Sequence, residues 1–160
     1  YMFDVIVVGG GHAGIEASLA PARLGLRVAL ITLDINYVGI MPCNPSIGGP
    51  AKGIVVREID ALGGEMGKAT DATFLQMKML NTGKGPGVQC LRAQSDKIAY
   101  AKYMQNVLKR EKNITILQTM ATKLIVENNK CLGVEIENGQ KIYINKKKIK
   151  LKLWIYIFIT

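Results

Sequence analysis

The stretch Asp4-Val5-Ile6-Val7-Val8-Gly9-Gly10-Gly11-His12-Ala13-Gly14 decides the fold. A short apolar strand runs directly into a G-x-G-x-x-G turn at Gly9, Gly11 and Gly14, and a helical pattern follows from Ala13 to Leu24. This strand–turn–helix order is the context in which the motif reads as a dinucleotide fingerprint. Gly9 permits the tight turn, Gly11 removes a side chain where a pyrophosphate approaches the backbone, and Gly14 lets helix and strand pack closely. The helix N-terminus presents backbone N–H groups and a partial positive charge to phosphates.

Outward from this unit, Phe3 to Val8 is expected as the first strand and Val28 to Thr32 as a second, parallel one. The second is unbroken and apolar, as a sheet covered on both faces demands. Pro21 removes one helical hydrogen bond and is expected to kink the intervening helix. An acidic residue commonly closes the second strand of such a unit and binds ribose. Here the strand ends at Thr32, and Asp34 follows two residues later.

Val38 to Gly53 reads as a long loop rich in glycine and proline, with Cys43 at its centre. Loops of this length are usually functional or disordered, and the Ile and Met residues here favour the former. A short helix is expected over Ile54 to Leu62, a strand over Phe74 to Leu80, and a second glycine loop over Asn81 to Gly87. The longest helix is expected over Ala93 to Arg110, with Tyr100, Met104, Val107 and Leu108 as its apolar stripe. A strand at Ile114 to Gln118 precedes three strand-like runs, Thr122 to Glu127, Cys131 to Glu137 and Gln140 to Ile144. Asn128-Asn129 and Asn138-Gly139 join these runs as hairpin turns.

The net charge of +9 is uneven. Six of the 21 basic residues fall in the last twenty positions, and removing them leaves fifteen cations against twelve acids. The bulk charge is therefore a property of the tail and a poor argument for nucleic-acid binding. Cys43, Cys90 and Cys131 are odd in number and form no C-x-x-C pair, which disfavours a disulfide framework or a metal site and suits a reducing compartment. No leader and no membrane span are expected, and a cytoplasmic location follows.

Five motifs together resemble the MnmG/GidA family of tRNA-modifying flavoproteins. Gly9 to Ala17 resembles its FAD fingerprint, and Met41-Pro42-Cys43-Asn44-Pro45-Ser46-Ile47-Gly48-Gly49 its cysteine loop. Asp60-Ala61-Leu62-Gly63-Gly64, Lys84-Gly85-Pro86 and Arg92-Ala93-Gln94-Ser95-Asp96 resemble three more, in order across Phe3 to Ile144. The resemblance implies an α/β, Rossmann-like FAD-binding domain of glutathione-reductase type, with a parallel sheet, helices and a β-meander, truncated at its C-terminus. It implies an enzyme that adds an aminomethyl or carboxymethylaminomethyl group to C5 of the tRNA wobble uridine with an MnmE-type GTPase. NADH would reduce the flavin and methylenetetrahydrofolate would supply the carbon, in a homodimer when full length. Residues 1–144 would be a partial FAD-binding domain. The Lys/Ile-rich stretch 145–160 departs from the family pattern and reads as an aberrant, frameshifted terminus outside the native fold. The chain alone is then expected to be inactive.

The implied cofactor residues are Gly9, Gly10, Gly11, His12, Ala13, Gly14, Thr32 and, through its backbone at the adenine, Ala121. Cys43 is the implied catalytic residue. A thiolate suits addition to uridine C6, which makes C5 nucleophilic; nucleophile and acid/base roles stay open, as does a buried structural cysteine. Lys84 and Arg92 are candidate phosphate or tRNA contacts, with solvated surface charges as the alternative. His12, the one histidine, is read as packing near the cofactor, and Cys90 and Cys131 as packing residues. A generic FAD- or NAD-dependent oxidoreductase fragment explains the fingerprint but not the cysteine loop. A non-enzymatic truncated product is the third reading.

Overall fold

The computed structural model describes residues 2–145 of the 160. In chain order the elements are β1 (Met2–Phe3), β2 (Val5–Val8), α1 (His12–Arg23), β3 (Val28–Thr32), β4 (Ser46–Gly48), α2 (Lys52–Ala61) and α3 (Met66–Thr73). They continue with β5 (Phe74–Leu80), β6 (Cys90–Ser95), α4 (Lys97–Arg110), β7 (Ile114–Gln118), β8 (Ala121–Glu127), β9 (Lys130–Ile136) and β10 (Lys141–Ile144). The described residues divide into two compact units: one holds positions 2–38 and 107–145, the other 39–106. The stretch 146–160, expected to depart from the native fold, lies outside the described residues.

The first unit is layered. A parallel sheet of order β2-β3-β7 is covered on one side by α1, which buries Ile15, Leu19 and Ala22. All five residues of β3, the central strand, are buried, which explains its unbroken apolar sequence. A second sheet, of order β1-β10-β9-β8, carries the meander. Phe3, Ile6, Ala29, Ile31, Val134, Ile136 and Ile142 from the two sheets form one apolar cluster. The two hairpin turns are those expected. Asn128 and Asn129 both have positive φ, 49° and 56°, as a two-residue type I′ turn requires. At the other turn the Asn138 carboxamide oxygen accepts from the Gln140 N–H at 3.0 Å.

The expected first strand, Phe3 to Val8, is two strands in different sheets. Asp4 divides them. Its buried carboxylate accepts the Arg27 N–H at 2.9 Å and lies 3.4 Å from the Asn145 amide nitrogen, while its own N–H donates to the Arg27 carbonyl. A buried charge must be hydrogen-bonded, and meeting that need turns the chain between β1 and β2. Pro21 sits in the last turn of α1, which closes through Leu24 N–H to the Pro21 carbonyl.

The second unit contains a three-stranded antiparallel sheet of order β4-β6-β5 with α2 and α3. Three expectations change here. Ser46–Gly48, read as loop, is a strand paired to β6. Met66–Thr73, which had no assignment, is a helix burying Met66, Ala69 and Thr70. Ala93 to Ser95, read as the start of the longest helix, belong to β6. That helix starts at Lys97 because Asp96 accepts the N–H groups of Ile98 and Ala99 at 2.8 and 3.0 Å, an N-cap geometry. Its stripe is as read: Tyr100, Met104 and Leu108 are buried and Val107 is half-buried.

Candidate functional site

The fingerprint turn sits at the C-terminal end of β2, the end at which open α/β sheets take ligands. Gly9 has φ 103°, a conformation natural to glycine, and its N–H donates to the Ile31 carbonyl at 2.8 Å. A Cβ at Gly14 would lie 1.9 Å from the Gly9 carbonyl oxygen, so the close approach of helix to turn demands glycine there. At Gly10 a Cβ would meet the Val38 side chain at 2.5 Å and the Thr32 hydroxyl at 3.2 Å. Gly11 differs from all three: nothing lies within 4 Å of its Cβ position. Its glycine is not demanded by protein packing. It leaves open space beside the N-terminus of α1, which has no side-chain cap. His12, Ala13 and Gly14 form the first turn of that helix.

Thr32 ends β3 beside this turn. Its hydroxyl points to the Asp34 carbonyl at 3.4 Å, and its carbonyl accepts the Thr119 N–H at 2.9 Å. Ala121 starts β8 two residues further on, half-buried against the apolar cluster. Gly9 to Gly14, Thr32 and Ala121 thus belong to one unit, tied together through β3. Asp34 is occupied elsewhere: its carboxylate accepts both the backbone N–H and the side-chain amide of Asn36, at 2.8 and 2.9 Å.

The cysteine loop belongs to the second unit. Cys43 is exposed, so a buried packing role does not apply to it. Asn44 and Ser46 beside it are linked, the Ser46 hydroxyl reaching the Asn44 carboxamide oxygen at 3.0 Å. Arg92 on β6 donates to that same hydroxyl at 3.0 Å, and the Lys52 ammonium donates to the Ser46 carbonyl at 3.1 Å. Two cations therefore converge on one serine three residues from Cys43. Lys84 is not drawn into this cluster by any contact. It lies exposed on the loop between β5 and β6, which is tied internally by Asn81 to the Val88 carbonyl at 2.8 Å and Gln89 to the Lys84 carbonyl at 3.1 Å. Cys90 and Cys131 are half-buried. Cys131 lies on β9 with its thiol 3.5 Å from the Gly133 carbonyl, and Cys90 lines a cavity of about 250 Å³ with Gly49, Arg57, Asp60 and Asp71.

Sequence reasoning missed Ser46 as the meeting point of Arg92 and Lys52, because the β4–β6 pairing that joins them spans some forty-five residues. Among the described residues no cluster of His, Cys, Asp and Glu is arranged to hold a metal ion, and no helix is long and apolar enough to cross a membrane.

Residues 4–149 match the family model described as glucose inhibited division protein A. The tRNA uridine 5-carboxymethylaminomethyl modification enzyme MnmG of Streptococcus thermophilus is 60% identical over 139 residues, 87% of this chain and 22% of that protein. MnmG of Bacillus subtilis is 58% identical over 137 residues, 86% of this chain and 22% of its own length. The chain thus spans about a fifth of the length of these relatives. Among solved structures, Aquifex aeolicus GidA superposes with a TM-score of 0.86 at 55% identity, over 89% of this chain and 24% of that one. A probable FAD-dependent monooxygenase of Pseudomonas aeruginosa, PqsL, shares the fold at 13% identity and a TM-score of 0.61.

Proposed function

Because the chain belongs to the glucose inhibited division protein A family, we propose that it is the FAD-binding part of an enzyme that modifies C5 of the tRNA wobble uridine. The observation that carries the proposal is the high identity to MnmG enzymes over a segment holding both the glycine turn and the cysteine loop. A generic flavin reductase accounts for the turn alone.

The residues fit FAD. The open space at Gly11, bounded by the N-terminus of α1, is the shape and electrostatics a pyrophosphate requires. Gly9, Gly10, Gly11, His12, Ala13 and Gly14 would hold the pyrophosphate, the Thr32 end of β3 the ribose, and the Ala121 backbone the adenine. FAD supplies two-electron transfer when bound. In the family reading, NADH reduces it, methylenetetrahydrofolate provides the carbon unit, and an MnmE-type GTPase and a second copy of the protein are the partners, in the cytoplasm. Residues 1–144 are the FAD-binding segment.

Cys43 acts on the uracil. Its thiolate sulfur would bond to C6 as the C5–C6 π pair moves to C5, and C5 would then bond to the methylene carbon of methylenetetrahydrofolate as that carbon's bond to one folate nitrogen breaks, the electron pair leaving on the nitrogen. Loss of the C5 proton expels the thiolate and restores the double bond. Exposure of Cys43 gives a base access to the sulfur. The test uses a family-length protein carrying Cys43→Ser. Normal flavin content and melting temperature with lost uridine modification, read in digested tRNA, is the expected result. A lowered melting temperature with normal modification per folded molecule would show that Cys43 is structural.

A further inference from the structure

We propose that the face of the β4-β6-β5 sheet carrying Ser46, Lys78 and Arg92, extended by Lys52, is a phosphate-binding surface that holds the backbone of the RNA substrate. This rests on the RNA-modifying reading above and adds to it a place of contact. Strand register sets the surface. Lys78 pairs directly with Arg92 and Gln76 with Gln94 across β5 and β6, and Ser46 pairs with Gln94 across β4 and β6. Paired residues and every second residue along a strand share a face, so Ser46, Gln76, Lys78, Arg92 and Gln94 lie together. The other face is apolar: Ile47, Met77 and Ala93 form the adjacent registered row and line the cavity near α2 and α3.

Three observations point to an anion. Two like charges directly opposite on antiparallel strands destabilise a sheet, and Lys78 with Arg92 is such a pair. The strands themselves carry no acid: positions 39–53 and 74–95 together hold Lys52, Lys78, Lys84 and Arg92 and no Asp or Glu. The two cations that make contacts make them with neutral oxygens of Ser46, at 3.0 and 3.1 Å, which orients them without neutralising them. Lys78 and Arg92 on the strand face, with the Lys52 ammonium at Ser46 beside them and amide side chains between, suit the successive phosphates of a nucleic-acid backbone. Phosphate contacts of this kind position a nucleic acid without reading its bases. The surface adjoins the loop of Cys43, whose chemistry on a uridine needs the strand held.

The experiment measures binding of an RNA hairpin of anticodon stem-loop size to the full 160-residue chain as a function of salt. Lys52→Gln and Lys78→Gln are compared with Lys130→Gln, an equal charge change on β9 of the other unit. Each of the first two is expected to lower the slope of log K against log salt by about 0.7–0.9, roughly a threefold smaller loss of affinity between 50 and 200 mM salt. Lys130→Gln should leave the slope unchanged. Arg92→Lys keeps the charge and should keep the slope, separating charge from the hydrogen bond to Ser46. Circular dichroism checks folding, and Lys78, whose side chain is exposed, is the variant least able to disturb it. Equal slopes in all variants overturn the surface while leaving the RNA-modifying reading intact. An unchanged RNA slope with weakened FAD binding in Lys52→Gln and Lys78→Gln assigns the cations to the cofactor and also overturns it. A folded, flavin-binding chain that holds no RNA at 50 mM salt overturns the surface too, and the Cys43→Ser result then judges the wider reading separately.

Discussion

At the scale of single residues, the three fingerprint glycines have different reasons to be glycine, and the difference is testable. Gly9 needs its positive φ. Gly14 needs the absence of a Cβ, which would strike the Gly9 carbonyl oxygen. Gly11 has extended backbone angles, φ −70° and ψ 178°, and open space at its Cβ position, so neither backbone conformation nor packing demands glycine there, whereas a close-approaching ligand would. Gly11→Val should therefore abolish FAD binding while costing about 1 kcal/mol at most, through a poorer helix cap. Gly14→Ala should instead cost about 1–3 kcal/mol or more by overpacking and lower the melting temperature whether or not FAD is present. Flavin titration with thermal melts of both variants checks the pair; equal destabilisation by the two would remove the argument for a ligand at Gly11. The turn at Gly9 and the close packing at Gly14 were legible in the sequence because the motif spacing encodes them. The role of Asp4 was not. The sequence places Asp4 inside a single strand from Phe3 to Val8, and its contacts with Arg27 and Asn145 are ones that no local pattern displays.

Among elements, reading succeeded where periodicity and length agreed. The strands Phe74–Leu80 and Ile114–Gln118 lie where expected, and the meander follows from its two asparagine turns. It failed where an element has little apolar content of its own. β4 is three residues long with one buried, and it exists because β6 is there to pair with it. α3 buries Met66, Ala69 and Thr70, a helical spacing hidden by small and polar residue types. The N-terminal boundary of α4 was misplaced because the alanine and glutamine before it suit a helix, while the true start is written in the Asp96 cap. That cap makes a pH prediction. Hydrogen bonds from the Ala99 and Ile98 N–H groups hold the Asp96 carboxyl below its ordinary value of 3.8. A depressed folded-state pKa means that the stabilisation is fully present above the ordinary carboxylate range. It diminishes as pH falls through that range and is lost below the folded-state value. Asp96→Asn, which still caps, should flatten this part of the acid-side stability curve while keeping most of the melting temperature at pH 7. Asp96→Ala should lower the melting temperature at pH 7 and flatten the same part. Melts from pH 2.5 to 7 check it, and an unchanged acid limb in Asp96→Asn would dismiss the cap as a titrating group.

On the scale of the whole molecule, both units combine buried apolar residues with exposed ones. The first has an apolar cluster between two sheets and leaves Leu24, Leu33, Tyr37 and Val126 exposed. The second leaves Leu62, Phe74, Leu75, Met77, Met79 and Ile98 substantially exposed. Relatives about four times as long supply further protein, and the chemistry proposed for Cys43 calls on a reductant, a carbon donor and a GTPase. Cofactor binding and catalysis should therefore separate in the 160-residue chain. The fingerprint unit holds every residue proposed above for the cofactor, and a ligand held only by the folded state stabilises it by mass action, about 2.7 kcal/mol at a hundredfold excess over Kd. The purified chain should accordingly take up FAD and melt several degrees higher with it, and Gly11→Val should abolish that rise. The same preparation, given tRNA, NADH, methylenetetrahydrofolate and the GTPase, should leave uridine unmodified. Flavin absorbance, thermal melts and nucleoside analysis of digested tRNA read the three outcomes. Modified uridine would show that catalysis needs no more than these residues. A folded chain with neither flavin absorbance nor a thermal shift would sink the FAD assignment itself.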